Sequence, residues 1–181
     1  MNGPAGVIIR AARPEDAPAI ARVHVDSWRT TYRDVMPSEF LAGLSYERRE
    51  RQWTGTLGDP DAGFVFVAED ASRAVVGFAA GGRELSGDPV YTGELYAVYI
   101  LEAHQGKGLG RRLMARVADR LVRAGRPAML LWVLADNLQA RRFYEKLGGE
   151  QLREQQIDIG GTRYDEVAYG WRNAGALAGM A

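Results

Sequence analysis

Apolar positions recur along this chain at two periods, and the switches between them predict its elements. Val7 to Ala12 reads as a short strand. Pro14, Glu15 and Asp16 suit a first helical turn, where proline forfeits no bond and acids meet the positive end of the helix dipole. Ala17, Ile20, Ala21, His24 and Trp28 follow at spacings of three and four, which is one helical face. Arg33 to Pro37 breaks that helix, and Ser38 can cap a second one running to about Trp53. Gly58-Asp59-Pro60 marks a turn.

The period then shortens. Phe64 to Ala68 and Ala74 to Ala80 form a predicted hairpin around Glu69 to Arg73, and Gly81 to Pro89 reads as a loop. Val90 to Leu101 is a long strand that leads into a glycine-rich turn. Arg112 to Ala124 is helical, with Leu113, Val117 and Leu121 on one face. Ala128 to Leu134 is nearly all apolar, as a central strand is. Asn137 to Leu147 is helical and ends at Gly148-Gly149. Two last strands, Gln151 to Ile159 and Arg163 to Trp171, flank the Gly160-Gly161 turn. The order β-α-α-β-β-β-α-β-α-β-β predicts an α/β fold: a mixed (α+β) sheet with helices on both faces. The expected domain is residues 1 to 172, with a frayed tail from 173 to 181.

Composition narrows the function. With 181 residues, 46 % hydrophobic and 25 % charged, the chain suits one core. Acids and bases balance at 23 each, which argues against a nucleic-acid partner or a polybasic membrane anchor. Cysteine is absent and the two histidines are His24 and His104, so no metal site is expected. No apolar run reaches the roughly 20 residues that span a bilayer. The N-terminal stretch lacks the regions of a signal peptide, so a cytoplasmic protein is the expectation.

The candidate chemistry lies in Gln105-Gly106-Lys107-Gly108-Leu109-Gly110-Arg111, between a strand and a helix. Unpaired amides at a helix start, the helix dipole and glycines that admit close approach together make an anion site. A P-loop fails because Lys107 is followed by Gly108. The dinucleotide fingerprint fails because Arg111 stands where its last glycine should be. The pattern that fits is Q/R-x-x-G-x-G/A, through Gln105, Gly108 and Gly110. The segment resembles the pyrophosphate motif of the GNAT superfamily of N-acetyltransferases.

Further features carry the resemblance in order. Glu94 stands on the preceding strand where many members carry a general base. Asn137 follows the next strand, where the family has an asparagine that bonds the pantetheine arm. Asn137, Ala140, Phe143, Tyr144 and Gly148 fit the family's N-x-x-A-x-x-F-Y-x-x-x-G helix. The likeness covers about residues 7 to 172 and departs at Gly149, where members often have Phe.

The resemblance implies acetyl-CoA as acetyl donor, with no metal. It implies that Gln105, Gly106, Lys107, Gly108, Leu109, Gly110 and Arg111 hold the diphosphate, with Arg112 adding charge. Val98, Tyr99, Ile100 and Asn137 would hold the pantetheine, in a gap opened near Tyr99 and Val133 by a β-bulge near Tyr99. Tyr144 would sit beside the sulfur and protonate the leaving thiolate. Glu94 would act as base or as a binding group for a cationic acceptor, and as a base it needs burial to raise its pKa. A backbone N–H of Tyr99 or Ile100 is the candidate for the oxyanion. Trp28 and Tyr32, one helical turn apart, are candidate walls of the acceptor pocket, and His24 reads as a satisfied core or pocket-lining histidine.

The leading expectation is acetylation of a primary amine on a small molecule by direct attack in a ternary complex. Modification of a protein α-amine or lysine is the alternative within the enzyme class. A non-catalytic module that senses acetyl-CoA is the alternative outside it. By analogy with the family a homodimer through the C-terminal strands is a candidate assembly.

Overall fold

The structure is a computed structural model that describes residues 6–179. The chain runs β1 (Ile8–Ala11), α1 (Ala17–Thr31), α2 (Ser38–Ala42), α3 (Tyr46–Gly58), β2 (Phe64–Glu69), β3 (Val75–Arg83) and β4 (Gly93–Ile100). It continues through α4 (Leu109–Arg123), β5 (Met129–Leu134), α5 (Leu138–Lys146), β6 (Glu150–Ile159), β7 (Thr162–Trp171) and α6 (Gly175–Ala178). The strands form one sheet in the order β1-β2-β3-β4-β5-β7-β6. Only β4 and β5 pair in parallel; the other neighbours are antiparallel. This is the mixed α/β architecture that the alternation of periods predicts.

Helices cover both faces because their apolar stripes need a partner. On one face α4 buries Leu113, Met114, Val117 and Leu121 against Ala79, Leu95, Leu131 and Tyr169. On the other, α1 and α3 bury Ile20, Val23 and Trp53 against Val67 and Phe78. Each such large side chain contributes about 1.5–3 kcal/mol when removed from water.

Three local expectations change. The helix predicted from Ser38 to about Trp53 is two helices, α2 and α3, and Ser45 rather than Ser38 makes the cap bond, its side chain accepting from the Arg48 amide. β3 runs on to Arg83, into the predicted loop, because Gly81, Gly82 and Arg83 still find partners on β4. The stretch expected to fray is folded as far as residue 179: the Ala174 amide donates to the Pro127 carbonyl at 2.7 Å, and Ala174 and Leu177 are buried in the α4-side core. Gly149 departs from the family pattern for a steric reason, since a Cβ there would lie 2.7 Å from the Trp171 ring.

Candidate active site

The site begins with a register fault. Ala80 pairs with Ala97 and Gly81 with Leu95, so Tyr96 is one residue too many on β4. The bulge is therefore three residues before Tyr99, where it was expected. Its consequence is a change of face. Leu95, Val98 and Ile100 pack on the α4 side, whereas Tyr96, Ala97 and Tyr99 pack on the α1 side. By alternation with Leu95, Glu94 also faces α1. In an unbroken strand Glu94 and Tyr99, an odd number apart, would point to opposite faces. The bulge puts them on the same one.

The parallel pair opens just beyond. β4 and β5 register only at Gly93 with Met129 and Glu94 with Leu130. Past that point the β5-facing edge of β4 has no strand partner, and a cleft of about 780 Å³ runs between the strands from Trp28 and Tyr32 to Gly108 and Arg111. That size suits a small-molecule site. Glu94, Val98, Tyr99, Ile100, Asn137 and Tyr144 all line it, as do Gln105, Gly106, Leu109 and Gly110. Lys107 does not.

At the cradle, Gly106 and Gly108 take φ of +71° and +79°, a region that side-chain-bearing residues avoid, and a Cβ at either would meet open space. Backbone conformation, not crowding, requires glycine there. Gly110 is glycine for the opposite reason: a Cβ would come 3.0 Å from the Phe143 ring, which holds α5 against α4. The amides from Gly106 to Arg111 find no backbone acceptor among the described residues, so they are free to bind an anion. Gln105 Nε2 donates to the Ile100 carbonyl at 2.9 Å and ties the cradle to the strand. Lys107 Nζ donates to the Ala103 carbonyl at 2.8 Å. Arg112 turns away and donates to the Val7 carbonyl at 3.1 Å, so the charge expected from it at the cradle is absent, and Arg111 is the cation on the cleft. Free amides, open space and one guanidinium fit a diphosphate-bearing coenzyme.

The predicted chemical groups stand in distinct environments. Half-buried Glu94 has its pKa raised, first by burial and then by Glu84 and Glu166; the Leu85 amide, donating to Oε2 at 3.2 Å, opposes the shift. Tyr144 is buried against Phe143, Tyr169 and Trp171, and burial raises its pKa well above the ordinary phenol range. Its hydroxyl has no hydrogen-bond partner among the described residues. Asn137 caps α5, its Oδ1 accepting from the Ala140 amide at 3.2 Å, and its side chain also lies against the Tyr32 hydroxyl. His24 stacks on Tyr99 at 4.9 Å and accepts from Trp53 Nε1 at Nδ1, 3.2 Å. Burial lowers its pKa to about 3, so it is neutral at physiological pH.

Trp28 and Tyr32 meet edge to face at 5.1 Å and wall the far end. Two residues the sequence reading passes over join them. Ser27 is buried with its Oγ unpartnered, as is Trp28 Nε1. Glu166 is a buried carboxylate on β7 that also lines the cleft. A signal for Glu166 exists: in Glu166 to Trp171 the large residues Val167, Tyr169 and Trp171 alternate with Glu166, Ala168 and Gly170. The large set packs on the α4 side, so Glu166 faces the same way as Glu94. Among the described residues no cluster suited to a metal ion occurs, and no helix is long and apolar enough to cross a membrane.

Solved acetyltransferases share this fold. yncA, an acetyltransferase from Salmonella typhimurium solved with its cofactor acetyl-CoA, shares the fold with a TM-score of 0.67 at 23 % identity, over 92 % of this chain and 93 % of that one. The Acetyltransferase (GNAT) family pattern matches residues 24–149, and the chain belongs to that family: it is an acetyl-CoA-dependent acetyltransferase. It is 40 % identical over 171 residues to YuaI of Bacillus subtilis, described as an uncharacterized N-acetyltransferase, covering 94 % of this chain and 96 % of that one. An L-methionine sulfoximine/L-methionine sulfone acetyltransferase of Salmonella typhimurium is 36 % identical over 87 residues, 48 % of this chain and 50 % of that one.

Proposed function

We propose that the chain acetylates a primary amine of a small molecule by direct attack in a ternary complex. The observation that carries this reading is Glu94: a carboxylate with a raised pKa, brought by the bulge to the face of Tyr99 and lining the cleft with Tyr144. Bound acetyl-CoA supplies the thioester carbon that the amine attacks. The chain's residues handle position and protons. The free amides from Gly106 to Arg111 hold the diphosphate, and the unpaired edge of β4 with Asn137 holds the pantetheine. An alkyl amine with pKa about 10.4 arrives protonated. Glu94 takes that proton, directly or through water, and its raised pKa makes it a stronger base than an ordinary glutamate. Tyr144 keeps its proton at neutral pH and gives it to the thiolate.

A small acceptor is supported by the packing at the far end of the cleft. Phe40 of α2 packs against the β6–β7 turn so closely that a Cβ on Gly160 would lie 2.5 Å from its ring. Phe40, Tyr32, Leu134 and Ile159 then form one apolar cluster behind the pocket. The methionine sulfoximine acetyltransferase, a relative named for a small acceptor, lends the same support.

Calorimetry tests the donor side: acetyl-CoA binds, and ATP and NAD do not bind comparably. Equal binding of all three would sink the reading. Acetylation of a panel of amines and of a lysine peptide tests the acceptor side, with turnover expected only for the small amines.

A further inference from the structure

We infer that Glu166 is a specificity-determining residue that holds a second positive charge on the acceptor, so that the preferred substrate class is a diamine. The inference rests on the acetyl-transfer reading above and adds what the far end of the cleft selects.

Glu166 is buried, 7 % exposed, yet forms none of the ion pairs among the described residues. Its one protein partner is Gln155, whose Nε2 donates to Oε1 at 2.6 Å. Oε2 has no donor. A largely buried carboxylate with one neutral partner and an oxygen left over can accept from a cation in the cleft. It lies across from Leu134, at the end of β5, and close enough to Tyr32 and Glu94 to act on both electrostatically.

Independent of the acids, Ser27 is 1 % exposed, lines the same cleft, and its Oγ bonds nothing. A hydroxyl in that state can accept from an ammonium. Trp28 and Tyr32 line the same cleft as Ser27 and Glu166, and aromatic faces attract a cation.

Carboxylates outnumber cations in the lining of the pocket. Glu94 and Glu166 are the carboxylates of the lining, and its one guanidinium, Arg111, is at the cradle. Two further arginines come near from outside the lining. Arg153 sits over Trp132 and is paired with Asp88 at 2.6 Å. Arg49 lies 6.0 Å from the Trp28 ring and donates to Gln52. An amino-acid acceptor would bring its carboxylate against two carboxylates with no cation in the lining to receive it. A diamine places one nitrogen at Glu94 and the other at Glu166.

The test is steady-state kinetics with diaminobutane, butylamine and methionine as acceptors, for the wild type and Glu166→Gln, with acetyl-CoA affinity measured alongside. The glutamine keeps an oxygen for Gln155 and so preserves the local fold. A charge-assisted bond contributes about 1.5–3 kcal/mol, or roughly ten- to 150-fold. The wild type should therefore favour diaminobutane over butylamine by at least about tenfold in kcat/KM. Glu166→Gln should bring that ratio close to one, chiefly through KM for the diamine. Equal use of both amines by the wild type, a preference for methionine, or an unchanged ratio in the variant would overturn the inference. So would a loss of kcat with every amine, which would put Glu166 in proton transfer. If acetyl-CoA binds but no amine reacts with the wild type, it is the acetyl-transfer reading that fails.

Discussion

The two ends of the cleft are built from different materials. The donor end is main chain: amides from Gly106 to Arg111, two left-handed glycines and an unpaired strand edge. The acceptor end is side chains: Trp28 from α1, Tyr32 just after it, Glu94 and Tyr99 from β4, and Glu166 from β7. Main chain offers the same donors whatever residues surround it, so that end can serve one coenzyme across many acceptors. Side chains change one residue at a time, so selectivity resides at the other end. The bulge at Tyr96 joins the two, since it both ends the β4–β5 pairing and turns Glu94 to the acceptor side.

Substitutions should separate the ends, and the largest effect belongs to proton transfer. Glu94→Gln should lower kcat at neutral pH by about a hundred- to a thousandfold, the range of general base catalysis, while calorimetry finds acetyl-CoA affinity unchanged. The sign of the pH dependence follows from the raised pKa. The carboxylate is lost at a higher pH than for an ordinary glutamate, so activity falls as pH drops through that raised value, and Glu94→Gln should flatten this limb. A wild-type profile with no acidic limb, or one near the ordinary glutamate pKa of about 4.3, would remove Glu94 as the base.

Tyr144→Phe should come next, with kcat down about ten- to a hundredfold and affinity for acetyl-CoA within about twofold. A large loss of affinity with unchanged kcat would make Tyr144 a packing residue of the donor end. The smallest effect is expected at the cradle. With alanine at Gly108 the exposed turn relaxes out of the left-handed region, and regaining it costs about 1 kcal/mol. Gly108→Ala should therefore weaken acetyl-CoA about fivefold and leave the amine KM within about twofold. A shift of the amine KM instead would blur the division between the ends.

The donor end was legible because each of its requirements is local. A positive φ needs glycine at that position, and a helix start needs only its own amides. Gly110 was also visible, but its reason was not, because Phe143 reaches it from another helix. Arg112 was misassigned for the same kind of cause: its neighbours in sequence are cradle residues, while its partner, the Val7 carbonyl, is far away in the chain.

The sequence by itself determined most of the elements, the mixed sheet, the cradle and the motif residues Glu94, Asn137 and Tyr144. The periods, turns and spacings behind these act over a few residues each. Only the tertiary structure decided which face Glu94 shares, that Arg112 leaves the cradle, that residues 174 to 178 pack against the core, and that Glu166 and Ser27 line the pocket. Face and partner depend on one extra residue in a strand and on elements far apart in the chain. A one-residue slip reverses every side chain beyond it, and no local pattern fixes where the slip falls.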